Sequence, residues 1–165
     1  DFIESGKDGA GSLLVLVERK TRYPFVVYCA DRTAAAVNAL IFHLLQSMPL
    51  KSLTLDNDVS FKKHRALSEL IGAVVFFCHP YTSSEKGTVE NRNRAIRRTV
   101  PKKTDLSQVS EETILMIQTK MRNRPMKCLG YRTPQEAWDA EMQKQKSASG
   151  AVSLGVLKAN LECSA

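Results

Sequence analysis

The chain has 165 residues, 43% of them apolar, and a net charge of +7. This suits one folded domain with a sizeable core. It excludes a membrane-spanning helix, because no run of about 18 apolar residues occurs, and the opening DFIESGKDGAG is not a signal peptide. The basic balance favours polyanionic partners, nucleic acid among them.

The opening Asp1-Phe2-Ile3 reads as the end of a strand, and the absence of an initial Met leads us to expect a trimmed piece of a longer protein. Residues 5–11 are turn chemistry. Residues 12–18 and 23–30, rich in Val, Leu and aromatics, predict a hairpin. Thr33 caps a predicted helix with Leu40, Ile41, Leu44 and Leu45 at helical spacing, ended by Pro49. A short strand over 52–55 stops at Asp56. Residues 60–70 read as helix closed by Gly72, AVVFFC as a buried strand, and HPYTSSEKG as a loop. A basic helix over 88–98 follows, then one capped by Ser107 and running to about Arg122. After an irregular RNRPMKCLGYR, Thr133-Pro134-Gln135-Glu136 opens a last helix, with Pro in its first turn. A hairpin followed by strand–helix–strand units argues a mixed sheet flanked by helices. We expect two parts: a core over 1–142 and a linker-like, loosely packed tail over 143–165.

Cys29, Cys78, Cys128 and Cys163 lie far apart without zinc spacing. Cys29 and Cys78 read as small core residues in a reducing cytosol. His43 is expected to be partly buried and His64 solvated. His79 reads as structural ahead of a DNA contact, and Trp138 as packing the last helix on the core.

Three carboxylates stand where a sheet could gather them. Asp56 follows an apolar strand, and reactive groups collect at the carboxyl ends of such strands. Asp1 would lie on the neighbouring strand. Glu90, near a helix start, could reach back toward both. Together they would repel one another unless a divalent cation lay between them. Each taken singly is also ordinary turn or helix-start chemistry. The run 85–103 holds seven Lys or Arg against two Glu. Its Lys86, Asn93, Arg94, Arg97 and Arg98 are candidate DNA contacts beside Glu90, although a solvated helix face would look the same. Asn91 and Asn93 could alternatively orient metal ligands.

The strings LVERKTRY, LTLDND, FFCHPYTSSEKGTVENRNRAIRR and RNRPMKCLGYRTPQEAW, in this order, resemble the catalytic core of bacterial insertion-sequence transposases, closest to the insertion sequence thirty family. The resemblance covers about residues 1–138. Between Asp56 and Glu90 lie 33 residues, an interval typical of that family's D-D-E signature. It implies an RNase H-like α/β fold whose five-stranded mixed sheet has three antiparallel strands continuing into two parallel ones. It also implies Asp1, Asp56 and Glu90 as catalytic metal ligands for two Mg2+ or Mn2+ ions. The implied activity is cleavage at transposon ends and transfer of the 3′-hydroxyl into target DNA, by a homo-oligomer on DNA in the bacterial cytoplasm, with no membrane. Asp58, where the family usually carries Gly, would add a charge close to the metal. Two other readings stay open: an RNase H-like nuclease that cuts without joining, and an inactive DNA-binding or assembly remnant.

Overall fold

The computed structural model describes residues 1–79 and 83–147, with the backbone alone for residues 83–86. Three strands, β1 (Phe2–Glu4), β2 (Ser12–Val17) and β3 (Pro24–Cys29), form an antiparallel sheet in the order β1-β2-β3. Its register pairs Phe2 with Leu14 and Leu14 with Val27. Period-two alternation divides these strands between two cores. Leu14, Leu16, Phe25 and Cys29 face one core, with Phe2 packed against it. Ile3, Leu13, Val15 and Val26 face the other. The sheet is therefore buried on both sides, which explains why β2 is almost uninterruptedly apolar.

Helix α1 (Ala34–Leu45) starts where Thr33 Oγ1 accepts from the Ala36 N–H. It packs Val37, Ile41 and Leu45 onto the first core, and it stops at Leu45, ahead of Pro49. Strand β4 (Ser52–Leu55) leads into a 3-10 turn (Val59–Phe61) and α2 (His64–Ile71). The latter is closed by Gly72 in the left-handed conformation, φ 64°, which glycine adopts without a Cβ penalty. Strand β5 (Val74–Phe77) pairs in parallel with β4. Helix α3 (Ser83–Ile96) and helix α4 (Glu111–Arg122) lie on the second core through Val89, Ile96, Ile114, Ile117 and Met121. Helix α5, residues 134–147, returns to the first core through Trp138, which stacks on Tyr23 at 4.7 Å. The result is a three-layer α/β/α arrangement.

Several expectations need correction. The antiparallel trio and the parallel pair are both present, but among the described residues no hydrogen-bonded ladder joins them, so the strands described form separate three- and two-stranded sheets. β5 is not a fully buried strand. Val75 and Phe77 pack inward, while Val74 and Phe76 on the alternate face are 56% and 54% exposed. The segment 83–87, read as loop, is the first turn and more of α3, so Gly87 is helical. Asp105, not Ser107, begins the next element: its carboxylate accepts from Ser107 N and caps a 3-10 turn (Leu106–Gln108), and Ser110 then caps α4. His43 is exposed, and His64 is half-buried, its ring nearly perpendicular to that of Phe77 with ring centres 4.9 Å apart. The last helix opens as expected. Thr133 Oγ1 accepts from Glu136 N, and Glu136 Oε2 accepts from Thr133 N, a reciprocal cap. It continues across residue 142 to 147, and residues 148–165, with Cys163, lie outside the described residues.

Candidate active site

Asp56 follows β4 directly, at the carboxyl end of the parallel pair. Two bonds fix the backbone around it. Cys78 N donates to Leu55 O at 2.9 Å, and Asn57 Nδ2 donates to Cys78 O at 3.0 Å. Cys78 is buried, as expected for a core thiol. Asp56 opens onto a cavity of about 400 Å3 that Asp1, the end of β2 and α5 also line.

Asp1 continues the register of β1. Its carbonyl accepts from Val15 N at 2.9 Å. Asp1 Oδ1 accepts from Phe2 N at 2.9 Å, and Oδ2 accepts from Asn93 Nδ2 at 2.7 Å. Asn93 therefore ties α3 to the first carboxylate. Glu90 precedes Asn93 by three residues, so the two share a helix face. Asp1 and Asp56 line one cavity, as do Thr88 and Val89 of α3, but Glu90 itself is exposed and outside the lining. Among the described residues, no group of three His, Cys, Asp or Glu is gathered as a ready metal cage. The cause is the phase of α3. Val89, Arg92 and Ile96 turn toward the core, and Glu90 lies just off that stripe.

The Asn93 contact carries a prediction. Asn93→Ala should lower the activity proposed below by about tenfold to a hundredfold, the usual scale for a group that orients a metal ligand. Melting temperature should change little. Single-turnover kinetics beside a thermal melt would check both; full activity in the variant would remove Asn93 from the site.

Asp58 does not add an unbalanced charge to this site. Its φ is −70°, so no left-handed turn is required. Its Oδ1 accepts from Ser60 N at 2.8 Å and caps the 3-10 turn, and its Oδ2 pairs with Arg32 Nη2 at 2.5 Å. Arg32 also pairs with Glu4 and lies 4.4 Å from the Phe2 ring centre. Burial pushes the Asp58 carboxyl up. The bonds from Ser60 and then Arg32 outweigh this and hold it below the usual carboxylate value of 3.8. A carboxyl depressed on folding stabilises the native state above its unfolded pKa, and the benefit is lost as pH falls through the folded one. Asp58→Asn should therefore be less stable than wild type at pH 6, with the gap closing below about pH 4. Paired melts across pH would show it; a constant gap would mean that the carboxylate's charge contributes nothing.

The basic candidates divide. Arg94 on α3 and Arg98 in the turn just after it are exposed. Arg97 donates to Glu4 O at 2.7 Å and Pro101 O at 3.2 Å, so it braces β1 against the chain after α3. The backbone of Lys86 is helical, and its side chain lies outside the described residues. Arg92, not singled out from sequence, is 6% exposed. Its spacing with Val89 and Ile96 was the available signal.

No protein-family model matches the chain. It is 34% identical over 133 residues to the transposase for insertion sequence element IS4351 of Bacteroides fragilis, covering 79% of this chain and 41% of that protein. It is also 34% identical over 127 residues to transposase InsI for insertion sequence element IS30A of Escherichia coli (strain K12), covering 75% and 33%. Over most of its length, this chain is a relative of insertion-sequence transposases. It spans less than half the length of these relatives. The crystal structure of the catalytic core domain of BIV integrase superposes with a TM-score of 0.68 at 22% identity, covering 88% of this chain and 95% of that one. The shared fold is the RNase H-like integrase core, and the transposase relatives and the fold agree with the expectation from sequence. No helix among the described residues is long and apolar enough to cross a membrane.

Proposed function

We propose that this chain is the catalytic core of a D-D-E transposase, cutting DNA at element ends and joining the freed 3′-hydroxyl to target DNA. The observation that carries the reading is that Asp1 and Asp56 both line one cavity, with α3 tied to Asp1 through Asn93. Relatives that are transposases, and a fold shared with an integrase core, support it.

The donor chemistry fits a hard divalent cation. Asp1 and Asp56 bring carboxylates to the cavity lining, and Glu90 stands on the same α3 face as Asn93, which donates to Asp1. These three residues would hold Mg2+ or Mn2+, as one or two ions. When bound, such ions neutralise charge on the attacking and leaving oxygens of an in-line displacement at phosphorus. Asn93 orients the Asp1 carboxylate through its hydrogen bond. Arg32 neutralises Asp58 and Glu4, so that neither competes for the cation. Arg94 on α3 and Arg98 in the turn that follows it, both exposed beyond Glu90, would neutralise DNA phosphates. DNA is the partner, bound by more than one copy of the chain.

The test is a strand-transfer reaction with a duplex bearing a free 3′-hydroxyl, a supercoiled plasmid, and Mg2+ or Mn2+. Joined product is expected. Cutting without joining would replace the transferase by a nuclease, and salt-sensitive DNA binding without chemistry would replace it by a binding module.

A further inference from the structure

The tip of the β2–β3 hairpin, α3 and the segment after α4 meet at three arginines. Arg22 sits in the hairpin turn with φ 62°, a left-handed conformation unusual for a side chain of its size. Its Nη1 donates to Thr88 Oγ1 on α3 at 2.7 Å. Its carbonyl accepts from Arg92 Nη2 at 2.7 Å, and the same nitrogen contacts Met126 Sδ at 3.1 Å. A thioether is a weak acceptor, and a guanidinium carries five donors. Among the described residues, both hydrogen bonds of Arg92 leave from that single nitrogen. None of Arg22, Arg92 and Arg124 makes an ion pair with a described residue.

A buried cation without an acid is costly, and here like charges adjoin it. Burial pushes the Arg92 guanidinium below its ordinary range. Cys128 opposes that shift, and Arg22 and Arg124 add to it. Exposure is graded across the cluster: Arg92 is buried, Arg22 half-buried and Arg124 exposed. Such a funnel of uncompensated donors suits an oxyanion approaching from solvent. Thr88, which Arg22 holds, lines the cavity of Asp1 and Asp56.

We propose that Arg22, Arg92 and Arg124 form a phosphate-binding site that grips one backbone phosphodiester of a DNA strand running past the cavity. This rests on the strand-transfer reading for the identity of the strand. The anion site itself is independent of the carboxylates. Binding there couples the hairpin tip to α3, so a held phosphate fixes the helix that carries Glu90 and Asn93.

The test is duplex affinity by fluorescence anisotropy over a salt series, for wild type, Arg124→Ala, Arg22→Asn and Asp56→Asn. Asn tolerates the left-handed backbone and removes the charge, and Arg124 is exposed, so both variants should fold. Each arginine change is expected to weaken binding severalfold and to lower the log–log salt slope by about one. Asp56→Asn should leave the slope intact. Unchanged affinity and slope in both arginine variants would overturn the site. So would stabilisation by inorganic phosphate that Arg22→Asn and Arg124→Ala abolish while DNA affinity stays the same, because the ligand would then be a free anion. A wild type that binds DNA with these arginine effects yet never joins strands would refute only the transferase.

Discussion

Asp56→Asn should reduce strand transfer by about a thousandfold or more, as expected when several kcal/mol of charge stabilisation at phosphorus are lost. The substitution keeps the shape and removes the charge. The backbone at this position is held by main-chain and Asn57 bonds to Cys78, which do not involve the Asp56 side chain. The fold should therefore survive. Mg2+ should raise the melting temperature of wild type and not that of Asp56→Asn, because only wild type gains the stabilisation that a bound ion confers on the native state. DNA affinity should persist in both. The measurement is a strand-transfer time course beside melts with and without Mg2+. Activity retained in Asp56→Asn would end the carboxylate mechanism, and Glu90→Gln should follow the same pattern.

The sequence revealed those features that depend on neighbours along the chain. SLTL ends at Asp56 because a short apolar run needs no partner to declare itself, and β4 occupies residues Ser52–Leu55 as expected. Thr33 and the Thr133–Glu136 pair were legible because a cap is a local hydrogen bond. Assigning Asp1 and Asp56 to one cavity needed the resemblance, since no local pattern in the sequence links positions 1 and 56.

What was hidden depends on tertiary context. The SSEKG segment reads as loop by composition, yet it extends α3, which docks through Val89 and Ile96 further along. Arg92 was absorbed into a cationic run that looks like a solvated face. Its position between Val89 and Ile96 on the core-facing stripe gives it away only once the helix phase is known. Asp58 looked like an extra charge beside the metal. Its partner, Arg32, lies on the far side of α1 in sequence, and no local pattern couples the two. Glu90 shows the reverse case: the interval from Asp56 marks it out, while on α3 it is exposed and outside the cavity lining.

Phe61→Ala should cost about 3–5 kcal/mol, the scale for deleting a fully buried aromatic. Phe61 is 0% exposed and stacks on Phe2 with ring centres 5.5 Å apart. That loss is comparable to the whole stability of a marginal domain, so chemical denaturation should show a large fall in midpoint. The consequence for the site follows from position. Phe2 is the residue after Asp1, and its N–H donates to the Asp1 carboxylate. Removing the ring beneath Phe2 loosens β1 at the end that presents the carboxylate. Activity per folded molecule should then fall as well. Phe61→Leu separates the two effects, since it restores most of the volume and should recover most of the stability. If both variants lose activity in proportion to the unfolded fraction alone, Phe61 supports the core and not the placement of Asp1. If Phe61→Leu folds well yet remains slow, the stacked pair sets the geometry of the first carboxylate. A Phe61→Ala cost below about 1 kcal/mol would contradict its place at the centre of the first core.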